Sequence, residues 1–214
     1  MRNQTTEISK LPLISVIMSV YNEPIEWVVK AIDSILSQSY KKFEFIIIND
    51  NPERLENNDL LSSKKKQDSR ITIINNEQNL GLASSLNIGI NIAKGDFIAR
   101  MDADDISLKD RFKAQVDYLL KHPEISICGT RAIIIDEKDK LIRKFIVPLR
   151  NESLKSNILF FCPFIHPTVM MRREIFTYCT YDPECRIGQD WNLWIHLYEH
   201  INFANLPQYL LLYR

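Results

Sequence analysis

Residues 13–24 read LISVIMSVYNEP, an apolar run rich in β-branched residues that breaks off at Asn22-Glu23-Pro24. A run of this length followed by a loop signal predicts a strand buried on both faces, as in a parallel sheet. Over residues 25–38 the spacing lengthens. Ile25, Val28, Val29, Ile32, Ile35 and Leu36 recur at three and four, which predicts an amphipathic helix.

The alternation then repeats. Residues 43–48 (FEFIII) form a second buried strand, stopped by Asn49-Asp50-Asn51-Pro52, and the polar stretch 53–69 is a surface helix and loop. Residues 71–74 are a third strand. Leu82, Leu86, Ile90 and Ala93 mark a helix over 81–93. Phe97-Ile98-Ala99 begins a fourth strand that runs into Met101-Asp102-Ala103-Asp104-Asp105; a helix over 108–121 stops at His122-Pro123, and a strand follows at 125–129. Strands alternating with helices indicate βαβ units, hence an α/β fold with a mostly parallel central sheet flanked by helices. From about residue 133 the pattern is less regular, with strands expected at 144–147 and 164–172 and a helix around 191–200. This second part reads as belonging to the same domain.

Composition narrows the classes of function. The chain has 214 residues with 45% hydrophobic, enough for one α/β domain with a core. Lysine plus arginine equals aspartate plus glutamate, 27 each, so no basic surface argues for nucleic acid. The four cysteines, Cys128, Cys162, Cys179 and Cys185, form no CxxC pair and fit neither a zinc site nor a dense disulfide framework. Met1 to Leu11 lacks the apolar core of a signal peptide, and no apolar run reaches the ~20 residues needed to span a bilayer. The expectation is a soluble, cytoplasmic protein; peripheral contact with a membrane is compatible with it.

In an open parallel sheet, ligands bind at the carboxyl ends of the strands. Strand one ends at Ser19, Tyr21 and Asn22, strand two at Asp50, strand three leads to Asn76 and Asn79, and strand four ends at Asp102 and Asp104. Polar groups from four strands on one edge suggest one site built from four loops. Residues i and i+2 of an extended segment share a side, so Asp102 and Asp104 sit together and repel unless a cation joins them. Hard oxygen ligands select Mg²⁺ or Mn²⁺, whose remaining ligands are commonly water and substrate phosphates. Standing alone, an Asp-x-Asp also fits a loop of helix-capping aspartates. There is no GxGxxG and no GxxxxGK[ST], so a dinucleotide site or P-loop is excluded.

In order along the chain, the motifs SVIMSVYNE (15–23), IIIND (46–50), NLGLA (79–83), NIGI (87–90), MDADD (101–105), HPTVM (166–170) and GQDW (188–191) resemble the family 2 glycosyltransferases, which have the GT-A fold. The resemblance covers nearly the whole chain. It implies a Rossmann-like nucleotide-sugar-binding half over about residues 13–130 and an acceptor-binding half over about 131–214 within a single GT-A domain. It further implies that Ser19, Tyr21 and Glu23 line the nucleotide pocket, that Asp50 accepts the uracil N–H, and that Asn79 approaches the base or ribose. Asp102 would contact the ribose or the metal, Asp104 would bind a Mn²⁺ or Mg²⁺ bridging the diphosphate, and Asp190 would be the catalytic base. The implied reaction moves a sugar from a UDP-sugar to an acceptor hydroxyl with inversion. A bacterial surface polysaccharide, built on a glycan or lipid-linked saccharide acceptor at the inner face of the membrane, is the implied setting. His166, placed before Pro167 at a strand start, fits either a contact to diphosphate or metal or a structural role.

The chain departs from the family pattern at three places. Asn49-Asp50-Asn51-Pro52 stands where Asp-Asp-Gly-Ser is usual, Leu86 stands where an arginine often precedes the helix asparagine, and Gln189 stands where a glutamate usually precedes Asp190. The chain stops at Leu212-Tyr213-Arg214 where many members continue, so a further segment carrying a histidine, a lid or a membrane-facing helix is an expectation. Two other classes compete with transfer. A non-catalytic sugar-nucleotide-binding module would share the pocket but not the base, and a nucleotidyltransferase would need a Gly-rich loop and a basic residue where Asn22-Glu23-Pro24 stands.

Overall fold

The computed structural model describes residues 11–214; the reading of the N-terminus made above falls largely on residues 1–10, outside the described residues. The first four expected strands are β1 (Ile14–Val20), β2 (Phe43–Asn49), β3 (Ile71–Asn75) and β4 (Phe97–Met101). They pair parallel in the order β3-β2-β1-β4, with Val20 opposite Asn49 and Met18 opposite Met101. Helices α1 (Ile25–Leu36), α2 (Leu55–Gln67) and α3 (Leu82–Ile92) make the crossovers. The alternating side chains of β1 build two cores. Val16 and Met18 pack on the side of α1 with Val28, Ile32, Phe45 and Phe112; Ile17 packs on the other side with Leu86, Ile98 and Trp194.

After the two-residue strand β5 (Ile106–Ser107) and helix α4 (Arg111–Lys121), β6 runs over Ile125–Ile135, well beyond the expected end at 129. It turns back into β7 (Leu141–Phe145), a few residues earlier than expected, because Asp136 closes the intervening turn. Its Oδ1 accepts the N–H of Lys138 at 2.9 Å and of Lys140 at 2.8 Å. Helix α5 (Asn151–Ile158) follows.

The strand expected at 164–172 is a correction. Pro167, which has no N–H and a fixed φ, sits in a 3₁₀ turn, His166–Thr168, locked by the Thr168 hydroxyl donating to the Ile165 carbonyl at 2.7 Å. Only β8 (Met170–Arg172) is extended. It is antiparallel to both β4 and β6 and so stitches the two parts of the chain into one sheet. Helix α6 (Gln189–Leu197) precedes β9 (Asn202–Tyr213), which lies parallel to β6 and antiparallel to β5. β5, α5 and β9 have no counterpart in the expected pattern. Pro207 falls where the β6–β9 register shifts, between the pairs Thr130–Leu206 and Arg131–Tyr209, the place where a strand tolerates proline.

At the entry to β4, Gly95 packs closely on neighbouring backbone. A Cβ on Gly95 would lie 2.5 Å from the Ser15 nitrogen and 2.8 Å from the Phe97 carbonyl oxygen. Neither can give way without shifting β1 or β4. Gly95→Ala is expected to cost about 2 kcal/mol or more, measured as a lower urea midpoint at unchanged slope; an unchanged midpoint would show that the crossing is looser than this geometry.

Candidate functional site

The carboxyl ends of β1, β2 and β4 open on one edge of the sheet, and the Asp50 N–H donates to the Val20 carbonyl at 2.8 Å, tying the first two ends together. Ser19, the penultimate residue of β1, is half-buried. Tyr21 is exposed, and its N–H donates to Glu23 Oε2 at 2.8 Å. Around them lies a cluster of amides. Asn49 Nδ2 donates to Asn58 Oδ1 at 2.8 Å and Asn75 Oδ1 at 3.1 Å, while Asn57 Nδ2 donates to the Tyr21 carbonyl at 2.9 Å and Asn49 Oδ1 at 3.3 Å. Asn51 bridges to Asn22 at 2.7 Å.

Asp50 is 2% exposed. Its Oδ1 accepts from Asn76 Nδ2 at 2.6 Å and the Leu80 N–H at 2.8 Å; its Oδ2 accepts from the Gly81 N–H at 3.0 Å. A carboxylate has about four acceptor directions, of which these bonds use three. They hold the turn into α3, where Gly81 takes φ +82°, a conformation glycine adopts without a steric penalty. Asn79, exposed on that turn, lines a cleft of about 520 Å³ with Gly81, Ser84, Arg186 and Gln189, the residue before Asp190.

The acidic loop after β4 is built against arginines. Arg100, fully buried within β4, pairs with Asp102 and donates to the Met101 carbonyl. Arg111, the first residue of α4, is also fully buried. It donates to the Pro167 carbonyl and, at 3.1 Å, to the Arg100 carbonyl. Burial pushes its guanidinium down to about 9, against the nearby charge of Asp105. Burial, then the charge of Asp102, raises the Asp104 carboxyl from its ordinary 3.8 to about 6. Asp105 is raised well above the carboxylate range by burial and by Asp102, and its Oδ2 is buried with no partner.

Asp190 lies in the first turn of α6, half-buried, and Cys162 donates to its Oδ2 at 3.3 Å. Asn87 of α3 grips the loop leading to α6. Its Nδ2 donates to the Tyr181 carbonyl at 2.7 Å and its Oδ1 accepts the Tyr181 N–H at 3.1 Å. Tyr213 is the last residue of β9. Burial and then the charges of Asp105, Asp102, Asp104 and Asp190 push its phenol up to about 12. His166 bonds Tyr181 Oη at 2.8 Å, and burial together with Arg100 holds its imidazole well below the ordinary value, so it is neutral. A larger cleft of about 760 Å³ lies at the opposite end of the sheet against Asp96, Phe97, Arg172 and Phe176, away from these groups.

Arg100, Arg111, Tyr213 and Arg214 were absent from the sequence-predicted set. A charged residue inside an otherwise apolar strand was the available signal for Arg100. The other three are joined to the loop only by the return of β9 and the packing of α4.

Among the described residues no group of three or more His, Cys, Asp or Glu side chains is arranged to hold a metal ion. Asp102 and Asp104 nonetheless fit a hard cation that takes its remaining ligands from phosphate and water. Burial and the charge of Asp102, which raise Asp104, are the penalties such an ion would offset, and Asp105 in the same loop keeps a buried oxygen without a partner.

The family model described as Glycosyl transferase family 2 matches residues 15–178. An uncharacterized glycosyltransferase of Methanocaldococcus jannaschii is 34% identical over 206 residues, covering 95% of this chain and 71% of that protein. The O-antigen biosynthesis glycosyltransferase WbnJ of Escherichia coli is 33% identical over 213 residues, covering 95% of this chain and 80% of that protein. Among solved structures, residues 1–349 of S. aureus TarS in complex with UDP-GlcNAc superpose with a TM-score of 0.75 at 16% identity, covering 93% of this chain and 57% of that one. The last likeness shows the fold.

The raised carboxyl has a consequence for stability without metal. The folded state binds the Asp104 proton more tightly than the unfolded chain does, so stability is greatest below its ordinary 3.8 and is lost as pH rises toward about 6. Asp105 acts with the same sign. In the presence of a chelator, the urea midpoint is expected to fall across this window, and to fall less in Asp104→Asn; equal slopes for the two proteins would contradict the shift.

Proposed function

This chain belongs to glycosyl transferase family 2, and from that premise we propose that it transfers a sugar from a UDP-sugar to an acceptor hydroxyl with inversion at the anomeric carbon. Residues 13–130 serve as the nucleotide-sugar half and 131–214 as the acceptor half of one domain. Ser19, Tyr21, Glu23, Asn79 and the remaining acceptor direction of Asp50 hold the nucleoside. Asp104 and Asp102 hold Mn²⁺ or Mg²⁺, which when bound neutralises the charge gathering on the departing diphosphate. Arg100 keeps Asp102 oriented. Asp190 takes the proton of the acceptor hydroxyl as that oxygen attacks from the face opposite the diphosphate.

The observation that carries this reading is the cleft lined by Asn79, Gly81 and Ser84 of the first half together with Arg186 and Gln189, the neighbour of Asp190, of the second. A residue assigned to the donor and the neighbour of the assigned base line one cleft, which supports a displacement between two substrates bound side by side. The naming of WbnJ for O-antigen biosynthesis supports a surface polysaccharide as product, and the UDP-GlcNAc complex of TarS supports a uridine donor. Exposed apolar residues flank the acceptor side: Phe160 is 78% and Ile187 91% exposed. They fit a lipid-linked saccharide acceptor met at the cytoplasmic face of a membrane. Among the described residues no helix is long and apolar enough to cross it.

A non-catalytic nucleotide-binding module is the competing reading, and Asp190→Asn separates the two. This variant is expected to bind UDP with Mn²⁺ as the wild type does and to lose transfer by roughly 10²–10⁴-fold. Asp104→Ala is expected to lose metal-dependent binding. Full transfer by Asp190→Asn would remove the base assignment.

A further inference from the structure

The loop that carries Asp102, Asp104 and Asp105 is held from behind by one residue. The main-chain N–H of Arg214 donates to Asp105 Oδ1 at 2.9 Å, and its side-chain Nε donates to the Asp104 carbonyl at 2.9 Å. Nη1 donates to the Asp136 carbonyl at 2.7 Å and Nη2 to Asp139 Oδ1 at 2.6 Å. The guanidinium lies 4.5 Å from the centre of the Trp27 ring of α1. Its side chain is 5% exposed. Four segments therefore meet on one group: the end of β9, the acidic loop, the β6–β7 turn and α1.

The turn is shaped for this contact. Asp139 has φ +65°, the left-handed conformation that aspartate tolerates better than most residues. There its carboxylate reaches Arg214 and also pairs with Lys30 of α1. A lysine is a poor replacement for Arg214, because the three acceptors are met by three different nitrogens, Nε, Nη1 and Nη2, and one compact ammonium lacks that span. The contact to Asp104 is made to its main chain, so it sets where the side chain starts without competing for the carboxylate.

We propose that Arg214, braced by Asp139, is a positioning residue that sets the Asp104–Asp105 segment, so that the β6–β7 turn controls how tightly the protein binds a metal–nucleotide pair. The inference rests on the reading of Asp104 as a metal ligand. A role confined to folding would lower stability and leave binding by the folded protein unchanged. A positioning role separates binding of UDP with Mn²⁺ from binding of UDP alone.

The test is calorimetric titration of UDP, with and without Mn²⁺, into wild type, Arg214→Lys, Asp139→Gly, the double variant, Lys30→Met and Asp104→Ala, each checked for folding by circular dichroism. Asp139→Gly removes the brace at a position whose backbone glycine accepts freely. Affinity for UDP with Mn²⁺ is expected to fall roughly five- to tenfold in Arg214→Lys and about threefold in Asp139→Gly, with the double variant no weaker than Arg214→Lys, as two parts of one contact behave. Affinity for UDP alone, and all affinities of Lys30→Met, are expected within about twofold of wild type. Independent, multiplying losses in the double variant would overturn the proposal. So would wild-type affinity in both single variants alongside a weakened Asp104→Ala, and in that case the metal reading would survive. Wild-type affinity in Asp104→Ala would overturn the metal reading and this proposal with it. Should Arg214→Lys fail to fold, Asp139→Gly on the surface turn decides alone.

Discussion

Three carboxyls within four residues cannot all stay ionised in a half-buried corner unless cations stand close, and this requirement organises the molecule. Asp102, Asp104 and Asp105 follow β4, a fully buried strand between β1 and β8, where the dielectric is low and like charges interact strongly. The chain answers with arginines from three separate places: Arg100 within β4, Arg111 at the start of α4 and Arg214 after β9. Their compensation is incomplete, since Asp104 and Asp105 stay raised. Under the function proposed above, the charge left uncompensated is what a divalent ion and a diphosphate would meet.

The opposite end of the same edge is built on another principle. Asn49, Asn57, Asn58 and Asn75 satisfy each other with neutral amides, and Asp50 spends three acceptor directions on the turn into α3. One carboxylate thereby shapes a loop and, in the proposed function, turns its remaining direction to the nucleoside. The geometry between the two ends is fixed by the register of three parallel strands, and buried strand cores move little. The second part of the chain is joined to this frame through β8 in the sheet and through the double hydrogen bond of Asn87 to Tyr181, besides the β5–β9 pairing and the contacts of Arg214.

Much of the first half was legible because its signals are local. Strands buried on both faces write unbroken apolar runs, helices between them write three-and-four spacing, and the polar residues at strand ends fall on one edge by the rule of parallel sheets. Asp102 and Asp104 were visible for that reason. The second half was harder to read because its elements are defined by partners. β9 carries a proline at a register shift, β8 is three residues long, and the 164–172 run looks extended until Pro167 and Thr168 close a turn. The arginine frame was hidden for the same cause. Nothing near residue 214 says that it touches residues 104, 136 and 139. The free direction on Asp50 was likewise unreadable, since its hydrogen bonds come from a different loop.

The amide cluster also gives a reason for the unusual residue at position 49. Both acceptors it serves, Asn58 Oδ1 and Asn75 Oδ1, need an N–H, and an aspartate in its place has none to offer. Asn49 is therefore tied to its neighbours as a matched set. An exchange at one member leaves a stranded oxygen at another, so these positions can drift only in concert, and a graft of the commoner acidic pair into this chain would have to bring its own companions with it.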